Sequence, residues 1–237
     1  LAPLKLAEEI GNRKPKDDTF WAEWHPQALN QVDRIQQILQ RLSAASDAKR
    51  LVRGDLVELH DILSDALNRY SEALIDRGIN VGIELASDLP ALIVNRDKFR
   101  QLWHLLFTQA LTDLERGHDL EISAEPHLDS GKRWIHISIR DNAAWPEQEN
   151  PSNLFDPFFV RTGQPDEFGV NMMACYVIVH LHGGTIEARP LNPRGMELHI
   201  RMPVEPPEHI EVGDEFFSRL VGHEAKWKHR ESPTEVE

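Results

Sequence analysis

Three segments of this chain alternate apolar and polar residues with a period of two. Leu120, Ile122 and Ala124 interleave with Glu121, Ser123 and Glu125. Ile135, Ile137 and Ile139 interleave with Trp134, His136 and Ser138. Met196, Leu198, Ile200 and Met202 interleave with Glu197, His199 and Arg201. Successive side chains of an extended strand point to opposite faces, so each segment reads as a strand with one buried and one solvated side. Three such strands, separated by apolar helical patterns, have to share one sheet whose apolar side is covered by helices. The fold class expected is therefore α+β, as a two-layer sandwich with about three helices on one face.

The covering helices are legible from their spacing. Leu56, Leu59, Ile62, Leu63, Leu67, Tyr70 and Leu74 mark an amphipathic helix ended by Gly78. Residues 80–86 read as a strand, and the short apolar run Ala91–Val94 as another. Asp97 is expected to cap a strongly apolar helix through Leu114, closed by Gly117. An irregular stretch, 143–168, precedes an apolar helix from about Val170 to Leu181. Gly183-Gly184 then turns the chain into a strand over 185–189.

The first fifty residues are different in kind. Residues 1–12 read as the end of a helix stopped by Gly11 and Pro15, and 12–18 as a polar connection. A second helix is expected from about Pro26 to Ala45, with the narrow stripe Val32, Ile35, Ile38, Leu39 and Leu42. A helical hairpin with one narrow stripe per helix buries little alone. Pairing with a second copy as a four-helix bundle solves this, and packing on the rest of the chain is the alternative. The domains expected are a dimerisation or phosphotransfer-like hairpin over 1–50, a sandwich over 53–204, joined through a linker at 47–55, and a proline-rich acidic tail over 205–237.

Charge and cysteine content narrow the function. Lys and Arg number 26 against 39 Asp and Glu, a formal charge of −13. Non-specific nucleic-acid binding needs phosphate-neutralising cations, so nucleic acid is not an expected partner. Anionic lipid is disfavoured for the same reason. No apolar run approaches the roughly 20 residues a membrane helix needs, so no direct membrane contact is expected of this segment. The single cysteine, Cys175, excludes an internal disulfide and a cysteine-based zinc cluster. A cytoplasmic location fits, in a parent chain that could itself be membrane-anchored. The opening Leu1 in place of Met is what a fragment of a longer chain would show.

The order of motifs carries the functional reading. A helix with polar residues at its inner turn (Asp97–Ala110, DKFRQLWHLLFTQA) is followed by a strand ending in Asp141-Asn142-Ala-Ala-Trp145. Next come the run Leu154-Phe-Asp-Pro-Phe-Phe-Val-Arg161, the segment Glu167-Phe-Gly-Val-Asn171 and the turn His182-Gly183-Gly184. In this order, over about residues 53–204, the chain resembles the catalytic and ATP-binding domain of sensor histidine kinases in the GHKL ATPase superfamily. The segments sit at the N-box, first glycine box, phenylalanine box, second glycine box and following turn. Ala2-Pro3-Leu4 resembles the end of the family's H-box, whose phospho-accepting His would lie just upstream of Leu1.

The resemblance implies ATP and magnesium as cofactors, a homodimer through residues 26–45, and a response-regulator receiver domain as partner. It implies a nucleotide site drawn from Gln109, Asp141, Asn142, Phe155, Phe158, Arg161, Gly169 and Asn171. In the family an N-box Asn oxygen holds magnesium, a hard cation that needs oxygen ligands. Gln109 is the matching residue and the one metal-ligand candidate, one methylene farther out. The alternative is that the helix is simply core and Gln109 a polar edge residue. The family's other N-box Asn falls on Leu105, which cannot ligate. Asp141 matches the carboxylate that accepts from the adenine amino group; a surface Asp at a strand end is the alternative. Phe155, Phe158 and Phe159 can pin a lid, and Arg161 can reach a phosphate or simply be solvated.

The glycine boxes depart from the family. Their glycines let backbone approach the nucleotide. In this chain the first-box glycines fall on Ala143 and Trp145, and two of the second-box glycines on Glu167 and Asn171, leaving Gly169. These changes predict weak or absent ATP binding and assign no catalytic residue. His180 and His182 lie about 200° apart on a helix, which argues against joint metal ligation. His25 and His60 read as surface histidines. Two functions follow: a two-component signalling protein of histidine-kinase architecture acting as a pseudokinase or phosphotransfer scaffold, or a divergent active kinase. A different ATPase of the superfamily is disfavoured by the two-helix segment before residue 53.

Overall fold

The computed structural model describes residues 54–144, 151–155 and 170–207. The chain divides into two units, Leu1–Ser46 and Asp47–Glu237, and every described residue belongs to the second. The expected helical hairpin over 1–50, most of the tail over 205–237, and Phe158, Arg161 and Gly169 lie outside the described residues.

The elements run β1 (Asp55–Val57), α1 (Leu59–Arg77), β2 (Asn80–Leu85), β3 (Leu92–Val94), α2 (Arg96–Asp113), β4 (Asp119–Asp129) and β5 (Lys132–Asp141). A 3₁₀ turn (Pro151–Phe155), α3 (Val170–Leu181), β6 (Thr185–Pro190) and β7 (Met196–Pro203) complete the order. Five strands form one sheet in the order β2-β4-β5-β7-β6. The β2–β4 pair is parallel and the remaining pairs are antiparallel. A parallel pair needs a crossover, and here the crossover contains α2.

The period-two alternation sets the layers. Ile122, Ala124, Ile135, Ile137, Ile139, Ile200 and Met202 are buried under α1, α2 and α3, and the polar residues between them face away. Helix α2 is the densest part of the core: Phe99, Leu102 and Trp103 are fully buried on it, and Phe107 is 2% exposed. Each such side chain contributes roughly 1.5–3 kcal/mol by leaving water.

Three expectations need correction. Leu56 belongs not to the first helix but to β1, where it is 68% exposed; the helix starts at Leu59. The apolar run before α2 does not join the main sheet. It forms β3, which pairs with β1 in a separate two-stranded sheet. The cap of α2 is Asn95, whose side-chain oxygen accepts from the Lys98 N–H at 2.9 Å. Asp97 sits in the first turn, where a carboxylate opposes the positive helix end, and pairs with Arg100 at 3.2 Å. Gly78 ends α1 as expected, with φ of 67° and its N–H donating to the Ile75 carbonyl at 2.8 Å.

Candidate nucleotide-binding site

The C-terminal end of β5 lies in the middle of the sheet. In register, Asp141 is opposite Leu120 of β4 on one side and Met196 of β7 on the other. A cavity opens there against the second half of α2. Its apolar wall includes Trp103, Leu106, Ile122, Ile139 and Met172, and its polar groups are Gln109, Asp113 and Asp141. The residues that the resemblance matches to the magnesium and adenine contacts, Gln109 and Asp141, share one cavity although they lie on different elements.

Asp141 is held as an acceptor. Its Oδ1 takes the backbone N–H of Ala143 at 3.0 Å and that of Met196 at 3.3 Å. Backbone donors favour the ionised carboxylate and fix its orientation. Gly195 makes the second bond possible: it has φ of 114°, and a Cβ there would lie 2.2 Å from the Asp141 carbonyl oxygen. A fixed carboxylate beside apolar side chains is suited to an exocyclic amino group on a flat ring.

Gln109 sits in a polar chain across two helices. Its Oε1 accepts from Asn171 Nδ2 at 3.4 Å, and its Nε2 donates to Asp113 Oδ2 at 3.0 Å. Asn171 is in the first turn of α3, so the second glycine-box segment and the N-box helix meet at this point. Amide and carboxylate oxygens are the hard donors magnesium takes, but the Gln109 oxygen and one Asp113 oxygen are both engaged in side-chain hydrogen bonds. Leu105, one turn before Gln109, is 7% exposed and part of the core.

Two other predicted residues are used structurally. Asn142 Oδ1 accepts from the Asp119 N–H at 2.9 Å and its Nδ2 donates to Asp119 Oδ2 at 2.7 Å. This ties the end of β5 to the start of β4, and Asn142 does not line the cavity. Phe155, on the 3₁₀ turn, packs with its ring centroid 5.7 Å from that of Tyr176 on α3, next to the buried Leu154.

His182 sets the spacing of the two site-bearing helices from their far ends. It is 4% exposed, its Nδ1–H donates to the Ile178 carbonyl at 2.7 Å, and its Nε2 accepts the Asn95 N–H at 3.1 Å. Only the neutral ring with its proton on Nδ1 serves both bonds. Burial holds its pKa below the ordinary value, with the Lys98 ammonium adding to the depression and the Ile178 bond opposing it. Sequence reasoning read His182 only as part of the turn and as an improbable metal partner of His180, and it missed Asp113 and Gly195. The polar residue at i+4 from Gln109 was the available signal for Asp113, while His182 acts through a contact 87 residues distant and Gly195 by letting Met196 reach Asp141, 55 residues away.

Residues 94–206 match the family described as histidine kinase-, DNA gyrase B- and HSP90-like ATPase. The folded unit resembles the catalytic domain of sensor histidine kinases. The adaptive-response sensory kinase SasA of Prochlorococcus marinus strain MIT 9303 is 29% identical over 153 residues, covering 62% of this chain and 40% of that protein. The alginate biosynthesis sensor protein KinB of Pseudomonas aeruginosa is 25% identical over 176 residues, covering 74% and 27%. The chain thus spans less than half the length of these relatives. Among solved structures, the histidine kinase AdeS of Acinetobacter baumannii matches 85% of this chain and 95% of its own with a TM-score of 0.56 at 18% identity. A structure of histidine kinase ThkA in complex with response regulator protein TrrA matches 87% of this chain and 59% of that one, with a TM-score of 0.58 at 16% identity. At these identities the structural likeness speaks for the fold of the kinase-type domain. Among the described residues, no helix is long and apolar enough to cross a membrane.

Proposed function

We propose that this chain is a two-component signalling protein that retains an adenine-recognising pocket but holds a triphosphate weakly, acting as a pseudokinase or scaffold for a response regulator. The observation that carries the reading is the contrast within one helix and its neighbour strand. Asp141 is an oriented carboxylate on an apolar cavity. Leu105, at the family's other N-box position, is core and offers no oxygen. By the resemblance, Ala143, Trp145 and Glu167 stand at glycine-box positions of the sequence, where bulkier or acidic residues take the place of glycine. The pairing of a related kinase with a response regulator supports a receiver domain as partner. The site of action is the cytoplasm.

Isothermal calorimetry tests the nucleotide claim. Weak, largely magnesium-insensitive binding of ATP is expected; tight magnesium-dependent ATP affinity would overturn the pseudokinase reading. Dimerisation through residues 26–45 is tested separately. Val32→Asp combined with Ile35→Asp should sediment as a monomer while keeping the sandwich folded, and a persistent dimer would remove the bundle.

A second reading, active phosphoryl transfer to a histidine, is favoured by the fact that Gln109 and Asp141 still share one cavity. Transfer of this type rests on positioning and charge stabilisation, which tolerate some variation in the surrounding residues. Incorporation of labelled γ-phosphate into a longer parent chain with an intact acceptor His supports it, and absence of incorporation removes it.

A further inference from the structure

We propose that the indole N–H of Trp103 is the donor half of this pocket, giving a hydrogen bond to a ring nitrogen of an amino-substituted heterocycle whose amino group faces Asp141. The inference rests on the nucleotide-pocket reading above and deepens it. It gives a binding role to a residue that the sequence motifs leave as core.

Trp103 is 0% exposed, and its side chain lines the cavity. Its Nε1–H has no hydrogen-bond acceptor. Among the described residues, it is the one buried side-chain polar atom of the cavity lining without a partner. The rings packed on Trp103 are Phe99, edge-on with centroids 6.4 Å apart, and Phe107, tilted at 6.4 Å. Neither ring carries an oxygen or nitrogen, so each offers at most a weak π contact. Buried N–H donors are nearly always paired, because an unpaired one has given up its bond to water without replacement. A core position needs no indole, since Phe or Leu packs there with no donor to satisfy. The cavity is where an acceptor for this one can enter.

The other polar groups of the cavity hold bonds that do not involve the indole. Gln109 Nε2 donates to Asp113, and Gln109 Oε1 accepts from Asn171. Asp141 Oδ1 accepts from the backbone N–H groups of Ala143 and Met196. Trp103, Leu106, Phe107 and Ala110 follow one another at i, i+3, i+4 and i+7 on α2 and all line the cavity, so the donor sits on an apolar stripe suited to a flat ring. A carboxylate accepts from an amino group and repels a lone pair; an indole N–H does the opposite. A heterocycle with both an amino group and an unprotonated ring nitrogen satisfies the two together. A carbonyl in place of the amino group sets a lone pair against Asp141.

The test titrates adenosine into the full chain carrying isotope-labelled tryptophan, followed by nuclear magnetic resonance. The Trp103 indole signal is assigned from its proton contacts to the Phe99 and Phe107 rings. It should move downfield as adenosine binds, as a proton entering a hydrogen bond does. Adenosine analogues with one ring nitrogen replaced by a C–H group are then compared. One of them should bind about tenfold more weakly than adenosine, the effect of one hydrogen bond. In Trp103→Phe, that analogue and adenosine should bind equally, which separates the lost donor from altered packing. An indole signal unmoved by saturating adenosine, or every analogue binding the unsubstituted chain as tightly as adenosine, would overturn the proposal, and neither readout needs a variant to fold. Adenosine binding that Asp141→Asn abolishes, with the indole signal unmoved throughout, would overturn the Trp103 assignment alone and leave the nucleotide reading standing. No adenosine binding by the unsubstituted chain would overturn both.

Discussion

The Asn171 side chain donates to Gln109 Oε1 at 3.4 Å, joining two residues 62 positions apart in sequence. That bond links the first turn of α3 to the inner face of α2 beside the cavity. The two residues that the resemblance places in the N-box and the second glycine box are thus partners of each other. Gln109 and Asp113 of this network line the cavity, as does Asp141.

Substituting Asp141 separates binding from folding. Asp141→Asn keeps an oxygen able to accept from Ala143 and Met196 but loses the negative charge. A cost of about 1 kcal/mol in folding stability is expected from weakened bonds. A ligand at a hundredfold excess over its dissociation constant stabilises by about 2.7 kcal/mol. Adenosine-induced stabilisation should therefore vanish in Asp141→Asn while the unliganded melting temperature falls only slightly, as read by differential scanning calorimetry.

Gly195 is a stricter test of the pocket floor. An alanine there adopts φ of 114° at a cost and places its Cβ 2.2 Å from the Asp141 carbonyl oxygen. Gly195→Ala should lose about 2 kcal/mol or more in urea unfolding. It should also abolish nucleotide binding, because the Asp141 segment has to shift to relieve the contact.

His182 makes stability depend on pH in a defined direction. Its folded pKa lies below the ordinary 6.5, so both states are neutral above that value and the full contribution is present. As the pH falls below about 6.5 the unfolded chain takes up a proton that the folded chain refuses. Stability is then lost, at up to about 1.4 kcal/mol per pH unit from this one group. Urea midpoints should decline from pH 7 to pH 5.5, and His182→Gln should flatten that decline.

Removing the same ring tests its structural role. His182→Ala leaves the Asn95 N–H and the Ile178 carbonyl without their partner and opens a cavity, at a cost of roughly 2–3 kcal/mol in denaturant unfolding. Hydrogen exchange should increase first at the start of α2 and the end of α3, the two segments the ring joins. Uniform exchange across the domain would show that the contact is not local.

Most of the layer structure was legible in the residues themselves. Strands β4, β5 and β7 were readable because alternation with a period of two has one physical cause, a sheet buried on one face. Helix α3 was readable to the residue because an apolar run between Val170 and Leu181 ends at two glycines. Leu56 was misread because a single apolar residue in phase with a helix carries no sign of the backbone that precedes the cap. Asp97 was misread as a cap because Asn95 and Asp97 have the same capping chemistry, and only the backbone shows which of them precedes the first turn.

Sequence alone determined the one-faced sheet, its helical cover and the candidates Gln109 and Asp141, because periodicity and motif order are local properties of a chain. Tertiary structure decided what those candidates touch. That Asp141 is gripped by the Met196 N–H, that Gln109 reaches Asn171 and Asp113, and that His182 pairs with Asn95 are consequences of strands and helices meeting across long loops. Hydrogen bonds between residues so far apart leave no periodic trace, since each depends on register and packing set by the whole sheet.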